Sequence, residues 1–131
     1  VCLVSDQAAA NLLPALDPSL KPREVVLMVS GKMQARADAL DAVLREAGVI
    51  THRVALTDEH DYAALEAALL EVASEREGQF IALNVTGGTK LMALAAQAVA
   101  VAATWAVFYV DADTDEVIWL APTPHRQLLQ Q

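Results

Sequence analysis

A short apolar run, two adjacent glycines and a long alanine-rich run follow one another between residues 80 and 102. The apolar residues 80–83 lie in a predicted strand over residues 79–85, and residues 89–102 predict a helix. Gly87 and Gly88 stand between them, where the missing Cβ atoms let a ligand approach the backbone closely. The first N–H groups of a helix lack intrahelical partners and carry partial positive charge. The order strand, glycine turn, helix therefore predicts a site for a bound phosphate.

The polar residues of this turn support the same interpretation. Thr86 and Thr89 offer hydroxyl groups, and Lys90 adds a full positive charge at the start of the helix. The spacing differs from that of a Walker A loop, so nucleoside-triphosphate hydrolysis is not expected. A dinucleotide fingerprint is also missing after the first strand, and Ser30 stands where an acidic ribose ligand would end the second strand. An ordinary helix cap followed by a solvated lysine stays open as the alternative.

Strands and helices alternate along the whole chain. The predicted strands cover residues 1–4, 24–29, 50–56, 79–85, 104–110 and 117–120, and the predicted helices cover 6–16, 32–47, 61–75 and 89–102. This alternation predicts an α/β fold, a Rossmann-like three-layer sandwich around a mainly parallel six-stranded sheet. The expected strand order is 3-2-1-4-5-6. The turn at residues 111–115 is too short for a crossover, so the last two strands should form an antiparallel hairpin.

The expected strand order places a ligand-binding edge between strands 1 and 4, where the chain direction along the sheet reverses. Ligands bind there, outside the carboxyl ends of the strands. The loops at this edge supply Ser5, Asp6, Gln7, Ser30, Gly31, Lys32, Thr57, Thr86, Gly87, Gly88, Thr89 and Lys90. Which of Ser5, Lys32 and Thr57 touch the ligand stays open, because Ser5 and Asp6 could simply cap a helix and Lys32 could lie on a solvated face.

Composition narrows the classes of partner. The chain of 131 residues is 55% hydrophobic and carries a net charge of −8, which suits one folded domain and argues against a surface that binds duplex nucleic acid. No apolar stretch is expected to span a membrane, and the lone cysteine, Cys2, should be a buried strand residue in a cytoplasmic protein. The histidines show no metal-ligand spacing, and we expect neither a metal nor a cofactor.

The alanine-rich helix predicts a homodimer. Residues 91–102 leave almost no polar face, and a helix that is apolar all round should be covered on both sides. One side can pack on the sheet, and a second copy of the chain could cover the other. The alternative is a central position between neighbouring elements of the same chain.

The residues Asn84-Val85-Thr86-Gly87-Gly88-Thr89-Lys90-Leu91-Met92 resemble the signature of CARF domains, the CRISPR-associated Rossmann-fold sensors. The segments Leu3-Val4-Ser5-Asp6-Gln7 and Ser30-Gly31-Lys32-Met33 are similar to the subgroup that precedes a restriction-type nuclease domain. The resemblance implies a homodimer that binds a cyclic oligoadenylate, cyclic tetra-adenylate in particular, across its two-fold axis. This small cyclic RNA is the second messenger of type III CRISPR antiviral defence. The resemblance adds Asn84 and Met92 to the expected ligand-binding residues.

The resemblance also divides the chain. Residues 1–122 are expected to form the CARF-like domain, and the proline- and glutamine-containing residues 123–131 the start of a linker to an effector domain. No nuclease motif is present in these 131 residues, so a non-catalytic sensor is the expected role. Two alternatives stay open: a ring nuclease that degrades the same messenger, and the ligand-sensing domain of a transcription regulator.

Overall fold

A seven-stranded sheet forms the centre of the protein in a computed structural model that describes residues 1–4, 12 and 14–129. The strands lie in the order β3-β2-β1-β4-β5-β6-β7. Their bounds are β1 Cys2–Leu3, β2 Glu24–Ser30, β3 Ile50–Leu56, β4 Ala82–Asn84, β5 Ala106–Asp111, β6 Glu116–Ala121 and β7 His125–Leu128. β1 to β5 pair in parallel, whereas β6 and β7 continue the sheet as an antiparallel meander. The α/β Rossmann-like class and the predicted order of the first six strands are confirmed.

Three helices connect the strands within the described residues: α1 spans Gln34–Glu46, α2 spans Tyr62–Glu75 and α3 spans Lys90–Ala103. A 3₁₀ turn, Gly31–Met33, precedes α1. Residues 14–16 are also helical, but most of the predicted helix over residues 6–16 lies outside the described residues. The start of α2 and the end of α1 lie where the sequence predicts them. Asp61 caps α2 with its carboxylate, and Gly48 adopts a φ of 85° just beyond α1.

The two faces of the sheet carry separate hydrophobic cores. On one face, α2 and α3 pack over Leu3, Met28, Leu83 and Val107. On the other face, α1 packs over Val4, Val25, Leu27 and Val29 together with Cys2. The prediction that Cys2 is a buried strand residue is confirmed, and its burial raises the pKa of the thiol. A thiol in such a place stays protonated and unreactive.

The expectation of six strands is wrong, because β7 adds a seventh. No sequence pattern indicates this strand, since three of its four residues are polar, most are exposed and they show no apolar alternation. β7 is held instead by backbone pairing with β6 and by stacking of the His125 ring on Trp119, with centroids 5.9 Å apart. The sheet therefore extends through Leu128, beyond the expected domain boundary at residue 122.

The alanine-rich helix, α3, is covered on one side only. Met92, Ala95, Ala96, Val99 and Ala100 are buried in the core against the sheet and α2. Leu94 is 62% exposed and Val101 is 69% exposed, and Ala98 lies exposed between them. We call Leu94, Ala98 and Val101 the outer stripe of α3. No helix in the part of the chain that the structure describes is long and apolar enough to cross a membrane.

Candidate functional site

The turn after β4 is fixed by a network of side-chain hydrogen bonds. Oδ1 of the buried Asn84 accepts hydrogen bonds from the backbone N–H of Thr86, at 3.0 Å, and from its hydroxyl, at 2.7 Å. The Thr86 hydroxyl oxygen in turn accepts a bond of 2.7 Å from the N–H of Val110 in β5. These bonds tie the turn to two adjacent strands, so its backbone is held in place before any ligand binds. Oδ1 of Asn84 and the hydroxyl of Thr86 thus serve the turn itself.

Gly88 needs to be a glycine for two separate reasons. Its φ of 77° lies in the left-handed region, which residues with a Cβ rarely adopt. A Cβ at this position would also stand 3.0 Å from Cβ of Leu3 and 3.2 Å from Cε of Met92. Met92 is only 2% exposed. Among the predicted ligand-binding residues, the structure therefore places Met92 beneath the turn as support.

The helix that follows the turn presents its first residues to solvent. Thr89 caps α3 by accepting a hydrogen bond of 3.2 Å from the N–H of Met92. Gly88, Thr89 and Lys90 are exposed, whereas Gly87 is buried. Lys90 forms no ion pair with any of the residues that the structure describes. An uncommitted ammonium beside the N-terminus of a fourteen-residue helix is suited to hold an anion.

The second group of predicted residues lies after β2. Ser30, the last residue of this strand, is buried, whereas Gly31 and Lys32 are exposed. Lys32 is not an isolated cation, because its Nζ lies 3.4 Å from Oε1 of Glu59. No sequence pattern indicates Glu59, because its contact with Lys32 depends on the pairing of β2 with β3.

Thr57 stands just beyond β3 and is exposed. The register pairs Ser30 with Leu56, so the loops after β2 and β3 leave the sheet side by side. β1 lies between β2 and β4 in the sheet. The two groups of predicted residues therefore share one edge of the sheet but belong to strands that are not paired. Ser5, Asp6 and Gln7, which follow β1 in the sequence, lie outside the described residues.

The chain direction reverses at this edge as the sequence predicts. α1 covers one face after β2, and α3 covers the opposite face after β4. β1 pairs with both β2 and β4, which places the switch point beside the turn at residues 85–89.

Two clefts are lined largely by residues outside the predicted site. One, of about 500 Å³, lies at the amino-terminal ends of β4 and β5, between Phe80, Arg76 and Trp105. The other, of about 850 Å³, extends from the residues before β2 along the sheet to Phe108 and Trp119. Neither is lined by Lys32 or by residues 85–90. Among the predicted site residues that the structure describes, only Asn84 lines either cleft, the larger one.

The described residues at this edge offer backbone N–H groups, hydroxyls and two lysines, which are groups that can bind an anion. Within the described residues, His, Cys, Asp and Glu side chains form no cluster of three or more that could hold a metal ion.

A family model for the Card1 CARF domain matches residues 1–131, which is the whole chain. A search of curated protein sequences gave no match.

Solved structures show the same fold. Can2 from Sulfobacillus thermosulfidooxidans, in complex with cyclic tetra-adenylate, has a TM-score of 0.87 and 25% identity over 98% of this chain and 36% of its own. A type III CRISPR defence DNA nuclease activated by cyclic oligoadenylate has a TM-score of 0.82 and 27% identity, over 98% of this chain and 20% of its own. Protein VC1899 from Vibrio cholerae shares the fold with a TM-score of 0.89 and 20% identity, over 98% of this chain and 35% of its own. The chain thus spans between a fifth and just over a third of each of these proteins.

Proposed function

The chain belongs to the Card1 CARF domain family, and from this membership we propose that it senses a cyclic oligoadenylate, cyclic tetra-adenylate in particular. Two similar structures support the ligand class, since one holds cyclic tetra-adenylate and the other is described as activated by cyclic oligoadenylate. We place this sensor in type III CRISPR defence, because the second of these proteins is described as a DNA nuclease of that system.

One observation carries the proposal: the exposed N-terminus of α3 lies at the switch point of the sheet, beside Lys90, which forms no ion pair with the described residues. A phosphate there would meet the free N–H groups of the first helical turn and a full positive charge. The turn before the helix is already fixed by Asn84 and Thr86, so little ordering is needed when the ligand binds. We propose that the ligand's phosphate contacts mainly Gly88, Thr89 and Lys90.

We propose that two copies of the chain complete the site. The outer stripe of α3 begins one turn after Lys90, so a dimer through this stripe would bring two Lys90 side chains near its two-fold axis. A cyclic tetranucleotide carries one phosphate per nucleotide and can share that symmetry. Each copy of the chain would then supply one wall of the binding pocket.

The messenger would control an effector domain of the whole protein, which we propose to be a restriction-type nuclease. The similar structures are roughly three to five times longer than this chain, by the share of each that it covers. In this arrangement the domain described here binds and signals, and it does not catalyse.

Calorimetric titration of cyclic tetra-adenylate into the protein tests the function. Binding, followed by recovery of the unchanged ring after hours, is the result expected of a sensor. Linear products would instead identify a ring nuclease, and a folded protein that gives no heat and no shift in Tm with the ligand would reject the proposal. Raising the salt concentration should weaken binding, because counterions compete for the phosphates.

A further inference from the structure

Lys32 is paired with a carboxylate at the edge where the ligand is proposed to bind. Its Nζ lies 3.4 Å from Oε1 of Glu59, and the same oxygen lies 3.6 Å from Nε2 of His60. The Glu59 side chain is 14% exposed, whereas that of Lys32 is 76% exposed. The carboxylate is therefore largely enclosed, and the flexible lysine reaches it from the solvent side.

The backbone around Glu59 fixes this arrangement. Oδ1 of Asp58 accepts a hydrogen bond of 2.8 Å from the N–H of His60, and the N–H of Asp61 donates to the carbonyl of Asp58 at 3.2 Å. The tight turn that results presents Glu59 to the loop after β2, since β2 and β3 are paired up to their last residues. The contact therefore follows from a defined turn and from the strand register.

We propose that Glu59 competes with the anionic ligand for Lys32 and so lowers the affinity of the site. This inference rests on the proposed function. In the free protein, Glu59 neutralises the charge of Lys32, and a phosphate can engage this lysine only by displacing the carboxylate. Lys90 has no such competitor among the described residues. The charge of Lys90 would thus be available to the ligand at once, whereas that of Lys32 would become available only when the ligand displaces Glu59.

Glu59→Gln tests this competition, since the amide keeps the size of the side chain and loses the charge. The variant should bind cyclic tetra-adenylate more tightly, by about two- to fivefold for each protomer, which is the range that a partly exposed ion pair supports. Asp58→Asn is the matched control. It makes the same change of charge one residue away, and its amide oxygen can still accept the bond from His60, so it reports the general effect of charge alone.

A double-mutant cycle with Lys32→Ala separates a specific pair from general electrostatics. Lys32→Ala should weaken binding slightly in the wild type and more strongly in the Glu59→Gln background, where the lysine no longer has a competitor. Circular dichroism and thermal unfolding check that each variant is folded.

The possible results divide clearly. Tighter binding by Glu59→Gln than by Asp58→Asn, with the expected dependence on Lys32, supports the inference. Equal affinities of the wild type, Glu59→Gln and Asp58→Asn would overturn the inference and leave the proposed function intact. Absence of binding in the wild type and in every folded variant would overturn both.

Discussion

Gly88 lies against Leu3 so closely that a Cβ at Gly88 would stand 3.0 Å from Cβ of Leu3. The contact joins the turn after β4 to the neighbouring strand β1, which is buried at the centre of the sheet. Because Cβ of Leu3 moves only with its backbone, the close approach cannot be relieved by a change of rotamer. The position of the turn is thus set by its fit to β1.

Gly88→Ala should therefore destabilise the protein by about 2–3 kcal/mol, through left-handed backbone strain and the steric contact together. Gly48→Ala is the control, since Gly48 has a φ of 85° and nothing within 4 Å of an added Cβ. It should cost about 1 kcal/mol, which is the backbone strain alone. Urea unfolding measures both free energies. If both variants lost the same unfolding free energy, the contact with Leu3 would contribute nothing to the effect of Gly88→Ala.

Lys90→Ala should weaken the binding of cyclic tetra-adenylate at least tenfold and up to about a thousandfold. One charge-assisted contact contributes on the order of 1.5–3 kcal/mol, and a dimer would present it twice. Stability should hardly change, because the side chain is exposed and a cation is slightly unfavourable at a helix N-terminus. Calorimetric titration measures the affinity.

Lys21→Ala is the control for Lys90, since it removes the same charge near the amino-terminal ends of β2 and β3, where Nζ of Lys21 bonds to the carbonyl of Ala47. Its effect on ligand affinity should be small. Equal affinities of Lys90→Ala and the wild type, with both proteins folded, would place the phosphate site elsewhere.

A glutamate in the outer stripe of α3 should abolish the proposed dimer. Leu94→Glu and Val101→Glu place a charge where the second copy would pack, but each residue is mostly exposed in the single chain, so the fold should persist. Charges at Ala96 or Val99 would be a poor test, since both residues are buried in the core. Light scattering should give twice the chain mass of 14.0 kDa for the wild type and one chain mass for the variants.

Leu70→Glu serves as the control for the outer stripe. Leu70 is 47% exposed on α2, so the substitution adds a charge to a different apolar surface. This variant should stay dimeric. A wild type with the mass of one chain over the micromolar range would rule out the dimer.

Asp41 should make the free energy of unfolding depend on pH in the acidic range. The Thr51 hydroxyl and then Arg45, whose Nε lies 2.6 Å from Oδ1, lower the pKa of the Asp41 carboxyl. Because the pKa is lower in the folded state, this contribution is fully present above the ordinary carboxyl pKa and is lost as the pH falls through the folded value. Thr51→Val should thus cost about 1 kcal/mol at about pH 6, and the difference from the wild type should shrink below about pH 4.

Urea unfolding at a series of pH values measures this dependence. Asp41→Asn is the companion variant, because it keeps a hydrogen-bond acceptor but cannot titrate. The difference in unfolding free energy between Thr51→Val and the wild type could instead stay constant down to low pH. That result would show that the charge of the carboxylate does not contribute.

The local pattern of the sequence was enough to predict the parallel part of the fold. The run at residues 50–56 is β3 as the structure has it, since its ends are marked by Gly48 and by polar residues after Leu56. The apolar run at 80–83 was less informative. Phe80 is 85% exposed because β4 begins only at Ala82. Hydrophobicity alone does not show where a strand leaves the core.

The sequence predicts where the loops of the candidate site lie in the fold, but not the contacts within them. Gly88 and Lys90 are candidates from the sequence alone, because glycines before a helix and a lysine in its first turn have direct physical consequences. The bond from Val110 to Thr86 and the pairing of Glu59 with Lys32 join residues that are distant in sequence or lie on separate strands. Such contacts depend on strand register, which no local pattern specifies.

The attachment of β7 has a consequence for the order of folding. Nε2 of Gln127 donates a hydrogen bond of 3.0 Å to Oγ of Ser19, a residue 108 positions earlier in the chain. Closing so long a loop costs entropy that only the rest of the sheet can offset. We therefore expect β7 to dock late, after β1 to β5 have assembled. In kinetic terms, substitutions at Gln127 should speed unfolding and leave the rate of folding nearly unchanged.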